Sequence, residues 1–236
     1  MPITPFHLND RRKVMQLLGA GVAAVGVPGW AQQPAFSDAE RTRNRIVALI
    51  RSSGESDPKA MLHIQKIEPV AEVRIPGVAA KPEHLPLIDH FVGHLQIGYS
   101  FDDPKFVTAV SASDLKRLKL KREELLPLSV ANFRRLYPKF RIERPQPHLA
   151  VVVDAGELEP SLMLDFKFWD EQMQRAGADI VASVPARDTL IFTDRRVTNY
   201  VNTLKGVTAD VYAGAGKNAL ANTLFLWNQG RWEVFG

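Results

Sequence analysis

Arg187 and Asp188 stand side by side in a short polar interruption between two apolar runs. A guanidinium binds the oxygens of a carboxylate or phosphate in bidentate geometry, and a neighbouring carboxylate can orient that guanidinium. The pair is therefore a candidate site for an anionic ligand group. The alternative interpretation is that both side chains belong to a turn and bond to neighbouring loops, as polar turn residues commonly do.

Asn132 is the third candidate binding residue, because it shares a predicted helical stripe with three leucines and its amide is expected to be buried. A buried amide must be hydrogen-bonded, and fixing a loop is its ordinary structural role. We prefer that role to a catalytic one. A functional site would bring Arg187, Asp188 and Asn132 into one pocket, whereas scattered, bonded side chains would favour a non-catalytic module.

The remaining polar residues do not indicate a metal, phosphate or nucleophile motif. Asp89, His90 and His94 have metal-ligand residue types, but a four-residue spacing alone does not define a zinc site and HEXXH is absent. The glycine-rich segment Gly214 to Lys217 follows a predicted helix, so it is interpreted as a helix terminator and not as a phosphate loop. The sequence contains no cysteine. We therefore predict no metal site, no cofactor and no cysteine chemistry.

The composition is that of a soluble globular protein. The chain has 236 residues, of which 45% are hydrophobic and 24% are charged. Its formal charge is +4, and residues 10–13 (DRRK) contribute +2 of this, which leaves +2 for the rest of the chain. Nucleic-acid binding needs a concentrated basic face, so we predict no nucleic-acid partner.

The N-terminal residues predict export. Asp10 precedes the paired Arg11 and Arg12, and this pattern resembles the twin-arginine export signal. The eleven residues of Leu17 to Val27 are Leu, Val, Ala and Gly, and small residues then surround Ala31. We predict a signal peptide over residues 1–31 that is cleaved after Ala31. The partners during export would be the twin-arginine translocase and signal peptidase, and the mature protein would be periplasmic.

A membrane anchor is the alternative for this apolar segment. Eleven residues rise about 16 Å as a helix, whereas a bilayer core needs about 20 residues. We therefore predict no stable membrane anchor. The ordinary secretory route remains an alternative to the twin-arginine route, because Gln16 stands where the twin-arginine pattern often has lysine.

The residues from Asp179 to Asp194 predict two strands joined by a short polar turn, with Arg187 and Asp188 in the turn. Thr189 to Thr193 are β-branched, aromatic or aliphatic, and successive side chains of a strand point to opposite faces. Both faces of this strand are apolar. The pattern therefore favours a position inside a sheet.

The other predicted elements are helices and hairpins. Ser37 to Glu40 has capping-box spacing and precedes Ile46, Leu49 and Ile50, so it predicts an amphipathic helix ending near Ser53. The predicted elements that follow are a hairpin over 61–75, strands over 91–101 and 106–110, a helix from Ser113 or Asp114 to Lys119, a helix over 122–137 and a strand over 149–153. After these come a helix over 157–176 closed by Gly177, a helix from Asp194 or Thr198 to about Tyr212, and a C-terminal hairpin that pairs Trp227 with Trp232.

The chain resembles the YtpQ family, a bacterial domain of unknown function. The resemblance rests on VPARDTLIFTD (184–194), on SASDLKRLKLKREELLPLSVANFRRL (111–136) and on the C-terminal hairpin, and it covers roughly residues 85–235. None of these motifs is a catalytic signature. The resemblance implies a fold but no established activity, and it supplies no functional residues.

These features predict an α+β fold in which a largely antiparallel sheet is built from hairpins and helices pack on it. The globular domain would cover residues 32–236, with a small N-terminal lobe over 37–80 and a main YtpQ-like region over 85–236. We expect a non-catalytic binding or accessory module. The alternatives are a small exported hydrolase or transferase with a carboxylate-arginine site near the 185–194 hairpin, and a subunit of an envelope complex.

Overall fold

The first sheet is built around one long strand. The computed structural model of the chain describes residues 42–53, 82–102, 107–146 and 148–236. In this part, one antiparallel sheet contains β1 (Ile46–Ser52), β2 (Ile88–Val92), β3 (Leu95–Asp102) and β4 (Val107–Ala109). β3 lies between β1 and β2 and also pairs with β4.

Strand β1 corrects the prediction of an amphipathic helix that ends near Ser53. The apolar residues of the segment form an unbroken run, IVALI, and a run of this length fits a strand as well as a helix. The β-branched residues Ile46 and Ile50 are buried in the main core, and β1 pairs with β3 along its whole length. This long-range ladder decides the outcome. The predicted cap at Ser37 lies outside the described residues.

The single strand predicted over 91–101 is two strands, β2 and β3, joined at Gly93 and His94. Gly93 has a φ of 58°, and a side chain there would lie 3.1 Å from Val234. Both facts favour glycine at this turn. The predicted partner strand over 106–110 is confirmed as β4 (Val107–Ala109). The hairpin predicted over 61–75 lies outside the described residues.

The second sheet is antiparallel and confirms both predicted hairpins. Its order among the described residues is β10–β9–β7–β8–β6–β5. The strands are β5 (Arg141–Gln146), β6 (Leu149–Val153), β7 (Ile180–Ala186), β8 (Thr189–Asp194), β9 (Leu224–Asn228) and β10 (Arg231–Phe235). β7 and β8 lie inside the sheet, as predicted, and Trp227 pairs with Trp232 across β9 and β10.

Four α-helices complete the described part, which confirms the α+β fold class. They are α1 (Ala112–Leu118), α2 (Leu125–Leu136), α3 (Phe166–Ala176) and α4 (Thr198–Ala215). α4 packs on one face of the second sheet through Leu204, which joins a small core with Val181 and Ile191. No helix in these residues is long and apolar enough to cross a membrane.

Two predicted helix starts are corrected by caps. α1 begins after Ser111, which forms a capping box with Asp114, so the cap precedes the predicted Ser113. The helix predicted over 157–176 is divided at Asp165, whose carboxylate accepts a hydrogen bond from the Phe168 backbone N–H as the cap of α3. A 3-10 helix, Glu159–Leu164, precedes it. The predicted C-terminal end of the helix is confirmed, since Gly177 ends α3 with a φ of 63°.

The 3-10 helix Glu159–Leu164 is buried at every residue and packs against both β1 and β8. Buried backbone carbonyls need partners, and indole N–H groups supply them. Trp169 donates to the Leu162 carbonyl at 2.8 Å, and Trp232 donates to the Met163 carbonyl at 2.9 Å. Two tryptophans from α3 and β10 therefore hold this segment in the core.

A buried carboxylate joins the first sheet to the start of α2. Asp89 on β2 is 6% exposed and accepts a 2.7 Å hydrogen bond from the Tyr99 hydroxyl on β3. Arg122, just before α2, donates to the same carboxylate, and its guanidinium lies over the Tyr99 ring at 5.1 Å. Burial and the Asp89 charge raise the pKa of Tyr99, which therefore stays protonated and donates.

We predict that Asp89→Ala lowers the free energy of unfolding by about 2–4 kcal/mol, because it leaves the buried Tyr99 hydroxyl and the Arg122 guanidinium without their acceptor. Urea unfolding at pH 7 measures this loss. Glu143→Ala is the matched control, since Glu143 pairs with Arg141 on a surface where both side chains are well exposed. That change should cost less than about 1 kcal/mol. Equal losses in the two variants would contradict the role assigned to Asp89.

Candidate functional site

A cavity of about 210 Å³ lies at the end of β8 where that strand leads towards α4. Ile180 and Phe192 are buried residues of its wall and supply its apolar surface. Thr193 and Asp194 are the last two residues of β8 and also line it. Because β7 and β8 are antiparallel, the end of β8 meets the start of β7, and this pairing places Ile180 opposite Asp194.

One face of α3 supplies the next group of lining residues. Gln172, Arg175 and Ala176 line the cavity and are spaced at i, i+3 and i+4, which places them on one side of a helix. Gln172 is buried, with 5% of its surface exposed, whereas Arg175 is exposed. Gln172 is therefore the more enclosed of the two residues, and Arg175 lies at the surface end of the cavity.

His148 and Tyr200 form an aromatic wall. Their rings stack with centroids 3.4 Å apart and an interplanar angle of 12°. The backbone of His148 is also held, because the Thr193 hydroxyl donates to its carbonyl oxygen at 2.7 Å. Both rings line the cavity, together with Arg144 on the edge strand β5. The wall is thus fixed from β8 and from the first turn of α4.

The acidic residue of the cavity is already neutralised. Arg196 binds Asp194 through its guanidinium, with Nε to Oδ2 at 2.9 Å, and its backbone N–H donates to Oδ1 at 2.8 Å. The guanidinium hydrogen bond lowers the pKa of Asp194, so this carboxylate is ionised and paired at neutral pH. Arg196 is also anchored to α3, since it donates to the Ala176 carbonyl at 2.7 Å.

Besides the stacked His148 and Tyr200, two guanidiniums and one amide of the cavity make no side-chain hydrogen bond among the residues that the structure describes. Arg144 and Arg175 make no hydrogen bond or ion pair there, and neither does the side-chain amide of Gln172. The Gln172 amide is accessible from the cavity, and the two unpaired guanidiniums create positive potential near it. This arrangement is suited to holding an anion that also accepts a hydrogen bond from the amide.

The structure places Arg187 and Asp188 at the other end of β8, in the exposed turn after β7. The Arg187 backbone N–H donates to the Asn218 carbonyl at 3.0 Å, and the Asp188 carboxylate accepts a hydrogen bond from the Thr189 hydroxyl at 3.0 Å. Neither residue lines the cavity.

Asn132 has the structural role preferred from the sequence. It is 3% exposed, and its Nδ2 donates to the carbonyls of Arg43 and Ile46 at 2.8 and 2.9 Å. The amide thus fixes the chain that leads into β1. Asn132 is absent from the cavity lining, so the cavity brings together none of the three sequence-predicted residues.

Asp89, His90 and His94, the residues with metal-ligand types, make separate hydrogen bonds. The Nε2 atom of His90 lies 2.8 Å from the Gly93 carbonyl, and that of His94 lies 3.1 Å from the Leu220 carbonyl. Asp89 is occupied by Tyr99 and Arg122. Within the described ranges, no group of three or more His, Cys, Asp or Glu side chains is placed to hold a metal ion.

Glu159, near the predicted turn, is a buried acid. It is 6% exposed, its Oε1 accepts a hydrogen bond from the Ala155 N–H at 3.2 Å, and its Oε2 has no partner among the described residues. Burial raises the pKa of this carboxyl, and the negative charge of Asp188 raises it further. Asp188 therefore influences the pKa of a buried carboxyl in the core and does not line the cavity.

Sequence reasoning missed the residues that distinguish the cavity. Gln172 and Arg175 lie on a helix that was predicted, and their i, i+3 spacing was a usable signal. Arg144 lies on β5, whose sequence RIERPQ has no strand-like apolar alternation and was not predicted as a strand. Asp194 was predicted only as the end of the hairpin or the start of the following helix.

The chain is similar to uncharacterised UPF0354 proteins of staphylococci. It is 23% identical to one from Staphylococcus haemolyticus over 187 aligned residues. The aligned region covers 79% of this chain and 65% of that protein. It is also 23% identical over 169 residues to one from Staphylococcus saprophyticus, covering 70% of this chain and 59% of the relative. The chain thus spans less than two thirds of the length of these relatives. No protein-family model matches the chain, and no solved structure matches it.

We predict that Glu159→Gln stabilises the protein at pH 7 and has little effect in acid. The pKa of this carboxyl is raised from its ordinary value of 4.5, so the protonated form favours the folded state. Below 4.5 the carboxyl is protonated in both folded and unfolded chains. As the pH rises through the folded pKa, the folded state must ionise a buried acid and loses stability. Glutamine keeps the acceptor for Ala155 without that charge.

Thermal unfolding from pH 4 to pH 8 measures this difference. The gain of Glu159→Gln over the wild type should grow with pH across the window above 4.5. Glu123→Gln is the control, since Glu123 is exposed and the change is isosteric. A gain that is independent of pH, or one that the control shares, would contradict the charge of Glu159 as its cause.

Proposed function

We propose that this chain is an exported, non-catalytic binding module of the YtpQ type whose cavity holds a small-molecule ligand. The observation that carries the proposal is the side-chain amide of Gln172, a residue 5% exposed in the cavity wall, which makes no hydrogen bond among the described residues. Native proteins ordinarily bond the polar groups of such enclosed residues. A ligand in the cavity that accepts a hydrogen bond from this amide would supply the partner. The cavity of about 210 Å³ is below the usual 300–1,000 Å³ of drug-sized pockets, so the ligand is small.

The hydrolase or transferase alternative receives less support from the cavity. Asp194 is held in an ion pair by Arg196, so its carboxylate is not free to act as a base. The Thr193 hydroxyl donates to a backbone carbonyl and not to an acid-base side chain. A nucleophile beside an oriented base is the arrangement that such an enzyme needs. Arg187, Asp188 and Asn132, the other candidates, do not converge.

The family assignment rests on two kinds of similarity. The relatives at 23% identity are uncharacterised proteins, which agrees with a family that has no established activity. The motifs that resemble the YtpQ family coincide with formed elements: one spans α1 and α2, and the other spans β7 and β8. We propose YtpQ membership on these motifs.

Export is the second part of the proposal. Arg11 and Arg12 would direct the chain to the twin-arginine translocase, signal peptidase would cleave after Ala31, and residues 32–236 would act in the periplasm. The support is the order of paired arginines, an apolar segment and small residues in the sequence. Folding before transport would allow the cavity to load its ligand inside the cell.

We predict that Arg11→Lys combined with Arg12→Lys stops export, although it keeps the positive charge. Cell fractionation and immunoblotting would then find the uncleaved precursor inside the cell instead of the mature form in the periplasm. Arg41→Lys combined with Arg43→Lys preserves charge outside the signal and should export normally. Normal export of the first variant would reject the twin-arginine route in favour of the secretory route. The mass of the periplasmic chain should correspond to a start at Gln32.

We predict that native mass spectrometry of the mature protein, recovered from the periplasm without refolding, shows an added small-molecule mass. Ala176→Phe should remove that mass, because Ala176 lines the cavity and the larger ring would fill it. Ala213→Phe is the matched control on the exposed surface of α4 and should keep it. A bare polypeptide in the wild type would favour a partner-binding role. An adduct that persists in Ala176→Phe would place the ligand elsewhere.

A further inference from the structure

We infer that the ligand is a small organic anion whose carboxylate or phosphate group binds at the mouth of the cavity between Arg144 and Arg175. The inference rests on the proposed function, because it names the chemistry of the ligand in the same cavity. Some polar side chains of the cavity are already paired and others are not. The unpaired ones and their positions define the ligand.

The charge of the cavity is positive once its internal ion pair is removed. Asp194 is neutralised by Arg196, which the Ala176 carbonyl also holds in place. Arg144 and Arg175 then remain, and neither has a carboxylate partner among the described residues. Arg195, at the same end of the sheet, is paired with Asp179. The two guanidiniums are therefore available to a ligand of negative charge.

The two guanidiniums approach the cavity from different elements. Arg144 comes from the edge strand β5, and Arg175 comes from the last turn of α3. Both are exposed, so they lie where a ligand enters and where they retain hydration until it arrives. A planar guanidinium pairs with two oxygens of one carboxylate or phosphate, which a lysine does not match. Two such groups favour a ligand with two negative charges.

The interior favours a carbon-containing body behind the anionic group. Ile180 and Phe192 are each 3% exposed and present apolar surface to the cavity. The stacked rings of His148 and Tyr200 add an aromatic wall. Gln172 lies on the same helix face as Arg175 but is buried, so its amide would meet a polar atom deeper in the ligand. Inorganic phosphate would use the arginines but would leave this apolar surface empty.

The test compares three probes on the mature protein after extensive dialysis. Succinate is a small dicarboxylate with a carbon body, succinamide is its neutral analogue, and inorganic phosphate supplies charge without that body. Isothermal titration calorimetry at low ionic strength should detect succinate and not succinamide. Succinate binding should also weaken as salt is added, because the guanidiniums are exposed. Binding of succinamide as tight as that of succinate would overturn the inference.

Charge-neutral variants locate the anion. Arg144→Gln and Arg175→Gln should each weaken succinate binding by about tenfold or more. Arg187→Gln is the matched control, since Arg187 is an exposed arginine whose side chain also has no partner among the described residues, but it lies at the other end of β8. It should bind succinate as the wild type does. Wild-type affinity in the two cavity variants, or a tenfold loss in the control, would overturn the inference.

The outcomes separate this inference from the proposed function. A periplasmic adduct that Ala176→Phe removes but that Arg144→Gln and Arg175→Gln retain would leave the binding module standing and reject the anionic ligand. Binding of phosphate without succinate would reject the organic body. If wild-type protein carries no adduct and binds neither anion, both proposals fail.

Discussion

The fold depends on supplying hydrogen-bond donors to the backbone carbonyls of one buried segment. All six residues of the 3-10 helix Glu159–Leu164 are buried, and the segment packs against strands of both sheets. Its carbonyls would each cost about 1–3 kcal/mol if they were left unbonded. Trp169 and Trp232, which both follow this segment in the chain, donate to two of them. The segment is thus tied to α3 and to the C-terminal hairpin, and the Leu162 carbonyl also accepts from the Asp165 backbone N–H at 3.1 Å.

The same tryptophans determine where the cavity lies. The Trp169 ring packs edge-on against Phe192 and Trp232, with centroids 5.2 and 4.8 Å apart, and this contact presses α3 onto the second sheet. Gln172 is three residues later on the same helical face, so it is buried beside the sheet as a consequence. Arg175 is three residues further, at the end of the helix, and reaches the surface. Along α3, Trp169 therefore lies in the core, Gln172 lines the cavity and Arg175 lies at the surface.

Local chemistry was sufficient to predict some elements, and long-range pairing decided others. The β7–β8 hairpin and the Trp227–Trp232 pair could be predicted because strand residues and their turns are adjacent in sequence. β1 could not be predicted, because its run of five apolar residues is compatible with both a helix and a strand. Its pairing with β3 makes it a strand. β5 is polar and contains Pro145, and it becomes a strand only as the edge partner of β6.

The residues of the candidate site could not be predicted from the sequence, because they come together only through long-range contacts. Arg187 and Asp188 attract attention because they are neighbours in the chain, yet the Arg187 backbone is bonded to Asn218 and the Asp188 carboxylate to Thr189, away from the cavity. Arg144 and Arg175 are 31 positions apart and lie on an edge strand and a helix, so no spacing rule joins them. What marks them is that both line one cavity and lack a partner there among the described residues, a property that only the folded chain shows. The Asp194–Arg196 ion pair illustrates this: it occupies the carboxylate of the described cavity lining, so neither Arg144 nor Arg175 pairs with it.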